Sequence, residues 1–225
     1  MRMLLAMLAM TVAGCVLAVN AVGAGAPAHA QPTDCPPVCD RIPDSAWVEP
    51  TSVPLDRIYR WPRLAGVPVM APVFRFEQEC GTPALPGDAR AYAVAARAVV
   101  PQPPGQWQLQ VQVLHWRGET WRGGQTALAE LQIAASTLRA CQVTAPAASL
   151  SITTDEPDRL AAVISVGGQQ VLAQHPLAHP ESSSVVELAM WATSPPLTAW
   201  SPVPDAEVFD AMLSPLCRAY IDSCR

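Results

Sequence analysis

Between Gln106 and Trp116, apolar and polar residues alternate with period two. Trp107, Leu109, Val111 and Val113 fall on one side, and Gln106, Gln108, Gln110 and Gln112 on the other. The spacing predicts a half-buried strand with one wet face. Three glycines between Arg117 and Gly124 interrupt the pattern, and from Thr126 the period changes. Leu128, Leu131, Ala135, Leu138 and Cys141 recur at steps of three and four, which stacks them on one face of a helix. A sheet face followed by a helix stripe is the minimum unit of a two-layer domain.

The flanking segments extend this unit. Residues 69–76 read as a strand ending near Cys80. Residues 89–100 carry helix-favouring alanines, but Tyr92, Val94, Val99 and Val100 and the Pro101–Gly105 turn favour a strand that hairpins into 106–116. Short strands follow at 150–154, 160–166, 169–174 and 185–191, with reversals at Asp155-Glu156-Pro157-Asp158 and Gly167-Gly168. The last element is a helix over 205–224, with Phe209, Met212, Leu213, Leu216, Tyr220 and Cys224 as its buried stripe and a kink at Pro215. The expected class is α+β: an antiparallel sheet with two main helices packed on it, stapled by disulfides.

The start of the chain changes the picture of where it works. Residues 1–30 read as a signal peptide: one charge at Arg2, an apolar run from Met3 to Val22, and Ala28-His29-Ala30 before Gln31. Val12-Ala13-Gly14-Cys15 also fits a lipobox, in which a lipidated Cys15 would tether the protein to a membrane. The apolar run continues through Val16–Val19, which favours cleavage after Ala30. Residues 31–60 form a Pro-rich arm with prolines at 32, 36, 37, 43, 50 and 54. Residues 61–225 form a single α+β domain. The expected setting is secreted or cell envelope.

Without Arg2 the chain has 13 arginines against 19 acidic residues, a balance of −6, and no lysine. Such a surface excludes nucleic acid as a partner, because phosphate binding needs a basic patch. Cys35, Cys39, Cys80, Cys141, Cys217 and Cys224 are an even set, read as three disulfides. Six cysteines allow 15 connectivities. In a helix continuous through 217–224, Cys217 and Cys224 stand about 10 Å apart along the axis, beyond disulfide reach. Pro36-Pro37 disfavours a Cys35–Cys39 bond. The expected set therefore sends Cys35 and Cys39 to the last helix, one each, and pairs Cys80 with Cys141.

Candidate chemistry is sparse, and neither a cofactor nor a metal is expected. His175 and His179 are four apart, but each precedes a proline, which disfavours the helix a shared metal would need. His115 reads as a rim residue. Ser182–Ser184 lie near His179 and Glu181, a proximity that is usually coincidental because triads are assembled by the fold. Trp116, Arg117, Trp121 and Arg122 flank one short loop, and this mixture of aromatics and arginines is enriched at binding hot spots. They are the candidate ligand-binding residues.

The order of elements carries a resemblance. A strand at 108–114, a helix at 127–139 closing on Cys141, short strands at 150–154, 160–166 and 185–192, and a C-terminal helix with paired cysteines follow in turn. Residues 106–224 thus resemble the extracellular sensor domain of the mycobacterial PknH-type serine/threonine kinase and its secreted or lipoprotein relatives. The resemblance implies an antiparallel sheet with packed helices, a V-shaped cleft and a bound ligand. This chain departs from it in having no kinase domain and in its Cys35/Cys39 arm. The expected function is binding of a small or lipidic ligand or an envelope protein. The alternatives are a secreted hydrolase with a site assembled from distant residues, and a structural envelope protein without a ligand.

Overall fold

The computed structural model describes residues 41–83, 85–200 and 203–224. The predicted hairpin is its centre. β2 (Val94–Val100) pairs antiparallel with β3 (Gln108–His115), with Val94 opposite His115 and Val100 opposite Leu109. β1 (Val67–Pro68) flanks β2, while β4 (Ala148–Asp155), β5 (Leu160–Val166), β6 (Gln170–His179) and β7 (Ser184–Thr193) form a meander that returns to β3. The seven-stranded antiparallel sheet has the order β1-β2-β3-β7-β6-β5-β4, with a bulge in β4 between Ile152 and Thr154.

The helices are α1 (Asp56–Tyr59), α2 (Arg75–Glu79), α3 (Thr120–Arg139), α4 (Cys141–Thr144) and α5 (Asp205–Ala219). Both sheet faces are covered. On one, Trp107, Leu109, Val111 and Val113 pack against Val208, Phe209, Met212 and Leu216 of α5, against Trp47 and Val53 of the arm, and against Trp61 just beyond it. On the other, Leu114, Ile164 and Leu172 pack against Leu131, Ala134 and Leu138 of α3 and against Phe74 and Phe76. Each buried Leu or Phe contributes about 1.5–3 kcal/mol by leaving water. The class is therefore α+β as expected. Trp47 and Trp61 are core residues, so the described part of the arm is a lid on the first face.

The covered second face corrects the wet-face expectation for β3. Gln110 and Gln112 are buried. They belong to a polar row: Arg97 stands opposite Gln112, and Gln112 opposite Glu187. Arg97 Nε donates to Gln112 Oε1 at 2.7 Å. Gln174 Nε2 and Gln110 Nε2 donate to the Glu187 carboxylate at 2.6 and 3.0 Å, and the backbone N–H of Arg75 donates to it as well. Buried polar groups persist where they are partnered in this way.

The expected strand at 69–76 is also corrected. Phe74 and Phe76 look like a period-two pair, but the segment turns into α2. Glu77 folds back to accept the Phe74 N–H at 2.6 Å, and Glu187 takes the N–H of Arg75, so two orphan donors of the first turn are satisfied.

α3 starts at Thr120 and not near Thr126, running through Gly123-Gly124. These glycines mark a close approach and not a break. A Cβ on Gly124 would lie 2.6 Å from the Pro180 carbonyl oxygen, and one on Gly123 would lie 2.4 Å from Ser183 Oγ.

α5 ends at Ala219, so the condition that forbade a Cys217–Cys224 bond fails. Tyr220 is extended, Asp222 has positive φ, and the chain turns back until the two Cα atoms are 5.2 Å apart and the disulfide closes. That pairing removes the expected bridges from Cys35 and Cys39 to the last helix. Cys35 and Cys39 themselves lie outside the described residues, as do Cys15 and the signal segment. The expected Cys80–Cys141 bridge is present, with both cysteines fully buried.

Candidate functional site

The first half of α3 and the loop at 85–89 enclose a groove of about 650 Å³. Its rim is apolar and exposed: Trp121, Leu85 and Ile133, of which Trp121 is 58% exposed. The indole has a polar neighbour on each side. Its Nε1–H donates to Glu119 Oε2 at 3.0 Å, and the Arg122 guanidinium lies 5.0 Å from the ring centroid. Arg122 and Glu119 pair at 3.1 Å across one helical turn.

The floor is charged. Arg90 is buried, and its guanidinium binds Asp88 (2.6 Å) and Glu77 (2.7 Å), with Glu130 at 3.6 Å. It also lies over the Phe74 ring at 4.9 Å. One cation thus faces three carboxylates. Burial opposes ionisation of Asp88, but the hydrogen bonds from Arg90 outweigh it and hold that carboxyl below its ordinary range. Burial, and then the charge of Asp88, push Glu130 above its ordinary range. Asp88 and Glu130 both line the groove, so its floor is negative and accepts hydrogen bonds.

The four candidate residues separate. Trp121 and Arg122 line the groove. Trp116 does not: it is 7% exposed, packs in the α3-side core, and donates from Nε1 to the Ala89 carbonyl at 3.0 Å. Arg117 is exposed on the turn before α3 and does not line the groove. The reason is the earlier helix start. It turns 120–122 onto the helix and leaves 116 at the end of β3, so the two tryptophans face different ways. Leu85, Asp88, Glu130 and Ile133 carried no signal of a site.

His115, His175 and His179 are buried, so His115 is not the rim residue expected. His115 stacks on Tyr220 with centroids 4.7 Å apart and donates from Nδ1 to the Ser182 carbonyl at 2.9 Å. His175 Nε2 meets Asp205 Oδ1 at 3.1 Å. His179 Nδ1 lies 2.8 Å from Ser182 Oγ, so the Ser/His proximity in sequence is a real contact. Ser182 is 3% exposed, however, and its hydroxyl also reaches the His179 carbonyl, the geometry of a closed local turn. Among the described residues no group of three metal-ligating side chains comes together. No described helix is long and apolar enough to cross a membrane. Comparison with known proteins finds no family model, no curated protein and no solved structure that matches this chain.

Proposed function

We propose that this chain is an extracytoplasmic binding protein that takes a small amphiphilic ligand in the groove between residues 85–89 and α3. The observation that carries the reading is Trp121. It is a large aromatic, more than half exposed, clamped by Glu119 and Arg122 at the mouth of a cavity of about 650 Å³. A rim of Trp, Leu and Ile over a few polar groups is the composition of a small-molecule site. The excess of carboxylate at the floor selects a head group that donates hydrogen bonds or carries positive charge, with an apolar tail on the rim. Two disulfides and the apolar leader support export to an oxidising compartment. The element order resembling a kinase sensor domain supports ligand sensing. A hydrolase reading draws only on the His179–Ser182 contact, and that serine is shielded from substrate.

The test is a titration of the protein with a twelve-carbon alkylamine, followed by tryptophan fluorescence, with the matching carboxylate as control. The amine binds and the carboxylate does not. Trp121→Ala weakens binding by about tenfold or more, the loss expected for a central aromatic anchor, and leaves the unfolding midpoint unchanged. Equal binding of the two head groups, or unaltered binding by Trp121→Ala, refutes the reading. Recovery of an envelope protein in place of an extractable amphiphile replaces the small ligand with a macromolecular one.

A further inference from the structure

The two disulfides among the described residues differ in surroundings. Cys80 and Cys141 are fully buried beneath α3. Cys217 is half-buried, and Cys224 is exposed at the edge of a second cavity of about 750 Å³ lined also by Thr120, Arg159, His179, Glu181 and Asp222. His179 Nε2 lies 3.8 Å from Cys224 Sγ. A buried disulfide is inert, whereas an exposed one beside a base is open to thiolate attack. We propose that Cys217–Cys224 is a thiol–disulfide exchange site that reacts with small thiols, with Cys224 as the leaving and nucleophilic sulfur and His179 as its proton partner.

The asymmetry has two sources. Cys217 is in the last turn of α5, where the helix macrodipole is negative and disfavours a thiolate. Cys224 faces an imidazole. In the first step a small thiol R–SH gives up its proton to His179 Nε2, and its thiolate attacks Cys217 Sγ. The Cys217–Cys224 bond breaks, a Cys217–S–S–R bond forms, and Cys224 leaves as a thiolate paired with the His179 imidazolium. A second thiol then attacks the mixed disulfide. It releases RSSR and leaves the protein as a dithiol, so two thiols are oxidised and one disulfide is reduced.

The ring is placed for this. With the serine hydroxyl turned to the His179 carbonyl, Ser182 Oγ can accept from Nδ1–H at 2.8 Å, and that is the tautomer the exchange step uses, with Nε2 as the base. Burial favours neutral His179 in the oxidised protein, opposed by the charges of Glu181 and Asp158. Glu181 lies 3.5 Å from Nε2, and Arg159 and Asp222 line the same cavity. The 217–224 loop is held independently of its bridge. Tyr220 is buried against His115, and the Ser223 hydroxyl donates to the Leu216 carbonyl at 3.3 Å. These contacts hold the residues on either side of the turn without the bridge, and the proposal has Cys224 remain beside His179 after reduction.

The test begins with the oxidised full chain in limiting dithiothreitol at pH 7.5, followed by iodoacetamide and peptide mapping. Cys217 and Cys224 are alkylated while Cys80 and Cys141 remain bridged. In a Cys217→Ser variant the rate of Cys224 alkylation is then followed against pH. Its midpoint falls below the ordinary thiol value of about 8.5. Adding His179→Gln moves it back, with about threefold slower alkylation at pH 7 for each pH unit regained, because the loss of thiolate is partly offset by its higher nucleophilicity. Reduction of both disulfides together, or a Cys224 midpoint at or above the ordinary value, overturns the proposal. So does a midpoint that His179→Gln leaves unmoved.

Discussion

Acidification should strengthen this fold through one buried carboxylate. Glu187 is fully buried on β7. Burial pushes its pKa up, and the donors from Arg75, Gln174 and Gln110 with the charge of Arg97 recover only part, so the value rises from 4.5 to about 6. The folded state therefore holds this proton more tightly than the unfolded state. Glu187's contribution is fully present below pH 4.5 and is lost as pH rises through 6. A shift of roughly 1.5 units is worth about 2 kcal/mol. Glu130, also raised, acts in the same direction, and His179, lowered by burial, acts against it. The measurement is urea unfolding of the protein and of Glu187→Gln from pH 4.5 to 7.5, because the other groups cancel in the difference. The Gln amide placed among donors adds a cost that does not vary with pH. The variant's stability relative to the parent should rise by about 2 kcal/mol across this range. A difference that is flat, or that falls with pH, refutes the burial argument.

Two further outcomes follow from the packing. Gly124→Ala drives a Cβ against the backbone of Pro180 and should cost about 1–3 kcal/mol in denaturant unfolding, while Gln125→Ala on the exposed face costs under about 0.5. Removing the Cys80–Cys141 bridge, which spans 61 residues, should cost about 4 kcal/mol against about 2 for the Cys217–Cys224 bridge, which spans seven; equal losses would refute the loop-length account.

The hairpin of β2 and β3, the stripe of α3 and most of the later strands were legible because their periodicity depends only on neighbours in sequence. The same periodicity placed Gln110 and Gln112 on one face. It carried no information about α2 and Arg97 covering that face, because a strand records which residues share a side and not what lies over it. The 69–76 strand failed because Phe74 and Phe76 match a period of two, while the groups that fold the segment into α2 are Glu77 and the distant Glu187. Gly123-Gly124 looked like punctuation because the partner that demands them, residues 180–183, is sixty residues away. The helix-length argument at Cys217 assumed five more helical residues than form. Of the candidate site, Trp121 and Arg122 were visible as exposed aromatic and basic residues. Asp88 and Glu130 were not, since only the fold sets them around Arg90.

Among the described residues the order of strands leaves two edges unpaired, and both are poor templates for another chain. At one edge β1 is two residues long and ends on Pro68, which has no N–H to offer. At the other, the bulge in β4 breaks the regular spacing of backbone donors and acceptors. Its exposed positions are Ser149, Ser151, Thr153 and Asp155, small polar groups where an apolar strand would invite a neighbour. A long antiparallel sheet is in this way closed to edge-to-edge growth at both ends. A chain built this way can carry seven paired strands without offering its own copies a template for aggregation.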